Sequence, residues 1–324
     1  MPSMQKWRFG IIGAGLIGSG LDAGKTTPFA QTHASAILKN PATELVALCN
    51  TNAALLAAAG RARGINRLYT SCEDMLANEQ LDAVSICTPT NVRLPIFKAV
   101  LAAGIKRIWC EKPLAHDLAT AQEIIALLKK HGALCNVNYP RRYSPALARL
   151  HQIVQQQSLG AITGVHAVYT KGVWNNGSHI IDTMMAVLGK PSKAMRLAKV
   201  EDGRTEDPTY SLYLEFTGVA GQIIPAHITA LPYQNYSIMD WDSYFEKGRV
   251  QLVDKGRTQI IHHVVPDPLF AGYTVIAPQE TFTDGFDAMF ENALENTIAA
   301  KCEADLLCAA AANADLLAVL SEIS

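Results

Sequence analysis

The chain has 324 residues, 49% of them apolar and 18% charged, enough for a buried core and too apolar for a disordered polymer. At about 150 residues per domain, two domains are expected. Lys and Arg total 28 against 29 Asp and Glu, a net charge of -1. No strong field of either sign recruits polynucleotide or anionic lipid, so the expected partner is a small molecule, with no nucleic acid and no membrane.

Residues 7–12, 45–49, 83–87, 107–110 and 134–137 are short apolar runs that predict strands. Between them, residues 53–63, 94–103 and 118–131 carry helical spacing; in the last, Ala121, Ile124, Ile125 and Leu128 recur on one face. Strands alternating with helices predict a parallel sheet covered on both faces. The texture changes near residue 139. Predicted strands at 165–170, 193–200, 210–216, 222–229, 249–253 and 258–263 accompany helices at 145–157, 178–188 and 286–323. The fold class is therefore α/β, with domain 1–138 followed by an α+β domain, 139–324, on a large, mainly antiparallel open sheet. The terminal helix is free to pack back on the first domain, and the short alanine run 309–312 suits a tightly packed helix. Thr- and Val-rich strands predict an apolar exposed face, and with it a homodimer or homotetramer.

Seven cysteines stand at 49, 72, 87, 110, 135, 302 and 308. The count is odd, no pair has CxxC spacing, and several lie in apolar runs. This is the usage of a reduced, cytoplasmic chain. No Cys/His cluster has zinc-ligand spacing, so no metal is expected. No run approaches the roughly 18 apolar residues of a membrane span. Lys6 and Arg8 before an apolar stretch mimic a signal peptide, but Gly10, Gly13, Gly15, Gly18 and Gly20 suit its apolar helix poorly.

Gly13-Ala14-Gly15-Leu16-Ile17-Gly18 is G-x-G-x-x-G directly after the first strand. The first Gly allows a tight turn, the second a close approach of pyrophosphate, the third close helix packing, and the helix amino end offers N–H groups to phosphate. A glycine-rich turn without ligand has the same pattern; its place at the first strand-to-helix turn favours dinucleotide. An acidic residue should end the second strand. Asn50 stands there, after extra length at residues 19–32. Asn50 can bond a ribose hydroxyl and does not repel a 2′-phosphate; Arg61 and Arg63 lie a helix away. NAD and NADP both fit, NAD slightly better. The added segment folds over the pyrophosphate, reaches substrate or is a surface loop.

Glu111-Lys112-Pro113 closes a predicted parallel strand, where ligands of such sheets bind. A lysine there can bond a substrate oxygen and move its proton; a solvated surface lysine is the plainer reading. Asn175 and His179 are four apart beside a helix that Asn175 or Asn176 can cap. A lone helical His is usually structural, and Asp182 is most simply an acid bonding a neighbouring loop.

In order, Gly13-Ala14-Gly15-Leu16-Ile17-Gly18, Thr88-Pro89-Thr90-Asn91, Glu111-Lys112-Pro113-Leu114, Arg141-Arg142-Tyr143-Ser144-Pro145 and Gly177-Ser178-His179 with Asp182 resemble the Gfo/Idh/MocA oxidoreductases, from about residue 7 to the terminal helix. The resemblance implies a Rossmann domain and a carboxyl-terminal sheet domain often used for oligomerisation. It implies NAD(P) held by Gly13, Gly15, Leu16, Ile17 and Gly18, with Asn50, Thr88, Pro89, Asn91, Glu111 and Lys112 along the cofactor. Lys112 and His179 take the family's catalytic positions. Asn175 replaces an Asp and is left to orient; Arg93 replaces a His and meets either an anionic substrate group or solvent. Arg142, Tyr143, Trp174 and Asn176 are candidate substrate contacts, and Trp174, Tyr233 and Tyr236 are candidate sugar platforms, with core or interface positions the plainer reading. The implied reaction is hydride transfer between nicotinamide and a carbinol or keto carbon of a polyol, sugar or sugar nucleotide. The family also holds dinucleotide-binding regulators and scaffolds, to which the loss of acids at Asn50 and Asn175 leans.

Overall fold

The computed structural model describes residues 6–218, 221–299 and 303–323, with side chains from residue 310 onward in the last stretch. Cys302 lies outside them, as do the side chains of Cys308 and Ala309. The other five cysteines are free thiols. In chain order the elements are β1 Trp7–Ile12, α1 His33–Lys39, β2 Thr43–Cys49, α2 Ala53–Arg63, β3 Leu68–Tyr69, α3 Cys72–Asn78, β4 Ala83–Ile86, α4 Arg93–Ala102, β5 Arg107–Glu111, α5 Leu118–His131 and β6 Leu134–Asn138. Then follow α6 Pro145–Gln156, β7 Ile162–Tyr169, α7 Ser178–Leu188, β8 Lys193–Val200, β9 Thr209–Thr217, β10 Ile223–Ala230, β11 Met239–Phe245, β12 Gly248–Val253, β13 Thr258–Pro266, β14 Thr274–Phe282, α8 Met289–Ala299 and α9 Glu303–Ile323. The helix expected over 286–323 corresponds to α8 and α9, with residues 300–302 outside the described residues.

The chain forms two compact units. One runs through Pro140 and takes back Ala288–Leu317; the other is Arg141–Asp287 with the residues from Ala318. The first holds a six-stranded parallel sheet in the order β3-β2-β1-β4-β5-β6. Its strands are buried on both faces: Phe9, Ile11, Ile86, Ile108 and Trp109 have no exposure. Local chemistry sets the helices. Asp117 Oδ1 accepts from the Thr120 amide at 2.7 Å to start α5, left-handed Gly132 ends it, and its buried residues are Ala121, Ile124, Ile125 and Leu128.

The segment after the glycine motif departs from expectation. No α-helix opens there. Leu16–Gly20 is one π-helical turn, with the Gly20 amide bonded to the Gly15 carbonyl at 3.0 Å and Leu21 to Leu16 at 2.8 Å. A Cβ on Gly18 would collide with the Gly13 carbonyl, and glycines propagate an α-helix poorly. The first α-helix waits until His33.

The intervening residues fold back on Arg63. Its guanidinium donates to the Ser19 carbonyl, the Ser35 hydroxyl and the Asp22 carboxylate. Asp22 also accepts from the Gln31 amide and the Thr32 hydroxyl. Burial opposes the Asp22 charge, yet bonds from Gln31, Ser35, Arg63 and Thr32 bring its carboxyl from 3.8 down to about 2.

The second unit has an eight-stranded sheet, β14-β13-β12-β11-β7-β10-β9-β8, antiparallel except for β7 against β10. Ser144 and Pro145 start α6, which buries Ala146, Leu147, Leu150 and Val154. The strands alternate sharply: β9 buries Leu212, Leu214 and Phe216 and turns Ser211, Tyr213 and Glu215 the other way. That other face mixes polar pairs with exposed apolar side chains: across it Arg249 pairs with Asp242, His262 with Gln251, and His166 with Thr229, while Met195, Ile223 and Val264 are exposed. In β9, β11 and β12 period-two alternation turns the apolar side chains inward.

Arg63→Met leaves the Asp22 carboxylate buried without its cation. It is expected to lower the unfolding free energy by about 3–5 kcal/mol, read from urea midpoints at constant slope. The Asp22 contribution is full above its unfolded value of 3.8 and fades as pH falls toward about 2, so the variant's acid-unfolding limb should also flatten. A loss below about 1 kcal/mol would show that the segment stands without the pair.

Candidate active site

In the first unit the carboxyl ends of β1 and β4 meet at the point where strand order reverses, where open α/β sheets bind ligands. Gly13 has φ +96°, and a Cβ there would lie 2.7–2.8 Å from the Cys87 and Thr88 backbone, so only glycine fits. Gly15 differs: a Cβ on it would meet nothing within 4 Å, which leaves its backbone open to an incoming group. Leu16 is 65% exposed, Ile17 is half-buried, and the first-turn amides of this segment lack intrahelical acceptors. The cradle fits a pyrophosphate, with one turn rather than a long helix behind it.

Asn50 follows β2, its amide bonded to the Tyr69 carbonyl at 3.1 Å. Its side-chain Oδ1 accepts from the Asn52 amide at 2.9 Å, so what it presents to a ribose is its amide donors. Glu73 and Asp74 occupy the first turn of α3, and their charge helps burial push the neighbouring Cys49 thiol up to about 12.

At the ends of β4 and β5 the structure gathers the remaining residues of this unit. Thr88 Oγ1 is a buried hydroxyl with no bond inside the protein, available to a ligand. Pro89 and Asn91 are exposed around the turn that leads into α4. Arg93 meets neither substrate anion nor solvent, the two expected roles. It is 3% exposed, donates through Nε and Nη2 to the Thr88 carbonyl at 3.0 and 2.8 Å, and through Nη1 to the carbonyls of Glu111 and Pro113. At the amino end of α4 its long side chain reaches across to the neighbouring strand end.

Glu111 turns inward. Its Oε1 lies 3.0 Å from His33 Nε2 and 2.5 Å from Asn138 Nδ2. Burial opposes its charge, but His33, Asn138 and the nearby Lys112 ammonium hold the carboxyl below its usual range. His33 Nδ1 lies 2.6 Å from Ser85 Oγ, and its ring stacks on Trp109 at 3.8 Å. Ser, His and Glu are the residue types of a hydrolase relay. Here the serine sits mid-strand with no exposure, so no scissile carbonyl can reach it. His33, Ser85 and Asn138 escaped sequence reading, since only the fold joins four distant segments. Half-buried Lys112 follows Glu111 directly, before a cis bond to Pro113.

In the second unit, Gly172–Gly177 is another π-helical turn, running into α7. Neither Asn175 nor Asn176 caps α7, as either was expected to; Gly177 does, without a side-chain bond. The amides of Trp174 and Asn175 donate instead to Asp207 at 2.8 and 3.1 Å. This acid was missed in the sequence because it lies on the connection into β9. Asn176 Nδ2 donates to the Thr170 carbonyl. His179 is buried on the first turn of α7. Asp182, one turn on, takes a fork from Arg142: Nε at 2.9 Å from both oxygens and Nη2 at 2.8 Å. Burial still holds the Asp182 carboxyl above the usual range. Arg142 is thus committed to Asp182, the loop bond expected of that acid. Tyr143 and Trp174 are half-buried. Tyr233 and Tyr236 are exposed at 39% and 56%, which excludes the core.

Residues 7–139 match the GFO_IDH_MocA model, the oxidoreductase family with an NAD-binding Rossmann fold. D-apiose dehydrogenase of Paraburkholderia graminis is 33% identical over 132 residues, 41% of this chain and 35% of that protein. Inositol 2-dehydrogenase of Rhizobium meliloti is 28% identical over 155 residues, 48% of this chain and 42% of that one. The chain thus aligns with less than half the length of these curated relatives. Over the whole chain, an oxidoreductase from Agrobacterium radiobacter, solved with NAD+, L-tartaric acid and magnesium, has the same fold: TM-score 0.76 at 14% identity, covering 98% of this chain and 95% of that one. The family match is confined to residues 7–139, the stretch that carries the first sheet, and there the chain is similar to the NAD-binding Rossmann domain of these oxidoreductases.

Arg93→Lys replaces a planar fork, whose separate nitrogens reach the Thr88 carbonyl on one side and the Glu111 and Pro113 carbonyls on the other, with one compact ammonium that lacks that span. A loss of about 2–4 kcal/mol in denaturant unfolding is expected. A change within about 0.5 kcal/mol would make the clamp dispensable.

Proposed function

We propose that the chain is an NAD-dependent oxidoreductase that exchanges a hydride with the carbinol or keto carbon of a sugar, sugar nucleotide or cyclitol. One observation carries the reading: an open glycine cradle after β1 and a lysine at the end of β5 belong to the carboxyl edge of one parallel sheet. Nicotinamide, when bound, supplies the hydride acceptor or donor. Gly13, Gly15, Leu16, Ile17 and Gly18 hold the pyrophosphate. The Thr88 hydroxyl, Pro89 and Asn91 border the cofactor, and Glu111 supports it through Lys112. Lys112 Nζ bonds the reacting oxygen and polarises it. His179 takes the proton of the alcohol on oxidation and returns it on reduction. Asn175, which has no proton to exchange at neutral pH, orients. Tyr143, Trp174 and Asn176 contact substrate; Arg142, engaged by Asp182, supports them.

Preference for NAD over NADP has two supports. Arg63 is consumed by Asp22. Glu73 and Asp74 add negative charge beside the end of β2, which disfavours a 2′-phosphate. Five free thiols support a reducing, cytoplasmic setting. Exposed Leu269, Phe270, Tyr273, Val275 and Ile276 at the β13–β14 end support a homodimer or homotetramer, which sedimentation at micromolar concentration would read as a species above monomer mass.

Native mass spectrometry of freshly purified protein, then denaturation to release bound nucleotide, tests the reading. Recovered NAD, or uptake of added NADH, is expected. With a substrate polyol, Lys112→Met should lower turnover at least about 10²-fold while NADH binding persists. An empty protein that takes up neither NADH nor NADPH would favour the regulator or scaffold alternative, and normal turnover by Lys112→Met would remove the lysine's role.

A further inference from the structure

We propose that His33 is a positioning residue for Lys112, acting through Glu111: the buried imidazole fixes the carboxylate that precedes the lysine, and so sets the field in which the lysine's ammonium sits. The inference rests on the reading of Lys112 as the group that bonds the reacting oxygen.

The geometry leaves the ring little freedom. His33 has no exposure, lies against Trp109 with the rings tilted by 36°, and meets Phe290 edge-on. Glu111 accepts, so Nε2 carries the hydrogen and Nδ1 receives the Ser85 hydroxyl. Asn138 supplies a second donor to the same carboxylate oxygen. Glu111 is thereby held from α1 and from β6, with Ser85 of β4 behind the ring. The other charged or titratable groups around it are Lys112 itself, the Cys87 and Cys110 thiols, and Arg93, which binds its carbonyl. Of these, Lys112 is the cation that follows Glu111 directly in the chain, and its ammonium helps hold the Glu111 carboxyl ionised. A buried carboxylate needs donors to remain both ionised and in place. Without His33, Glu111 either takes up a proton or swings away, and its field at Lys112 falls.

The test is the titration of Lys112, which needs neither cofactor nor substrate. Lysines of the intact chain are reductively methylated with ¹³C-formaldehyde, and the Lys112 resonance is assigned by its absence in Lys112→Arg. Glu111→Gln and His33→Phe are each expected to lower the Lys112 midpoint by at least about 0.5 pH unit. The double variant should fall no further than Glu111→Gln alone. His33→Gln keeps a donor toward Glu111 and should restore most of the shift. If His33→Phe does not fold, Ser85→Ala, which removes only the hydroxyl behind the ring, should give a smaller fall in the same direction. A midpoint unchanged in His33→Phe, or in Ser85→Ala where that variant stands in, would leave His33 a purely structural residue and overturn the proposal. A midpoint unchanged in Glu111→Gln would overturn it as well. NADH binding, followed separately by fluorescence, reports on the function reading: protein that binds no NADH yet shows the coupled titration loses that reading and keeps this one.

Discussion

A guanidinium that satisfies itself on backbone carbonyls holds the carboxyl edge of the first sheet together. Arg93 is buried, and a buried charge persists only where its donors are met. Carbonyls of Thr88, Glu111 and Pro113 meet them. Backbone acceptors cannot rotate away as a carboxylate side chain can. The ends of β4 and β5 are therefore fixed relative to each other, and with them the Thr88 turn and the Lys112 peptide. A carboxylate partner would have neutralised the charge without tying two strand ends.

A second constraint sits at β1. Gly13 presses against Cys87 and Thr88 so closely that no side chain fits, while Gly15 faces open space. One turn of the chain thus serves two opposite needs, contact with the neighbouring strand and access for a ligand. The cost is a broken helix. Residues between Gly20 and His33 have no helical ladder to satisfy them, and the Arg63–Asp22 cluster supplies bonds in its place. The same cluster engages the Arg63 guanidinium, so the path of the added loop fixes where that cation sits.

Much of this was legible in the sequence, where chemistry is local. Five of the six strands of the first sheet, α5 with its four buried residues, the glycine turn and the lysine at a strand end follow from spacing and residue type; the two-residue β3 is too short to show a pattern. The rest failed for identifiable reasons. β11 hid its alternation behind Asp240 and Asp242, and β14 carries Pro278 and is exposed along most of its length. The roles of Arg93, His33 and Asp207 depend on partners far away in the chain. A histidine in an apolar segment reads as core until Ser85 and Glu111 are seen on either side of it.

Groups of opposite sign are fixed at the strand end that leads into Lys112. Glu111 brings a carboxylate kept ionised by His33 and Asn138, and Arg93 brings a guanidinium beneath the same peptide. Neither charge is free to move: one is locked by an aromatic-backed imidazole, the other by backbone. Groups fixed in this way present an electrostatic environment that is arranged before any ligand arrives, the condition under which charge acts without reorganisation. The buried polar groups of the first unit, expensive for folding, are thus explained by what they hold in place.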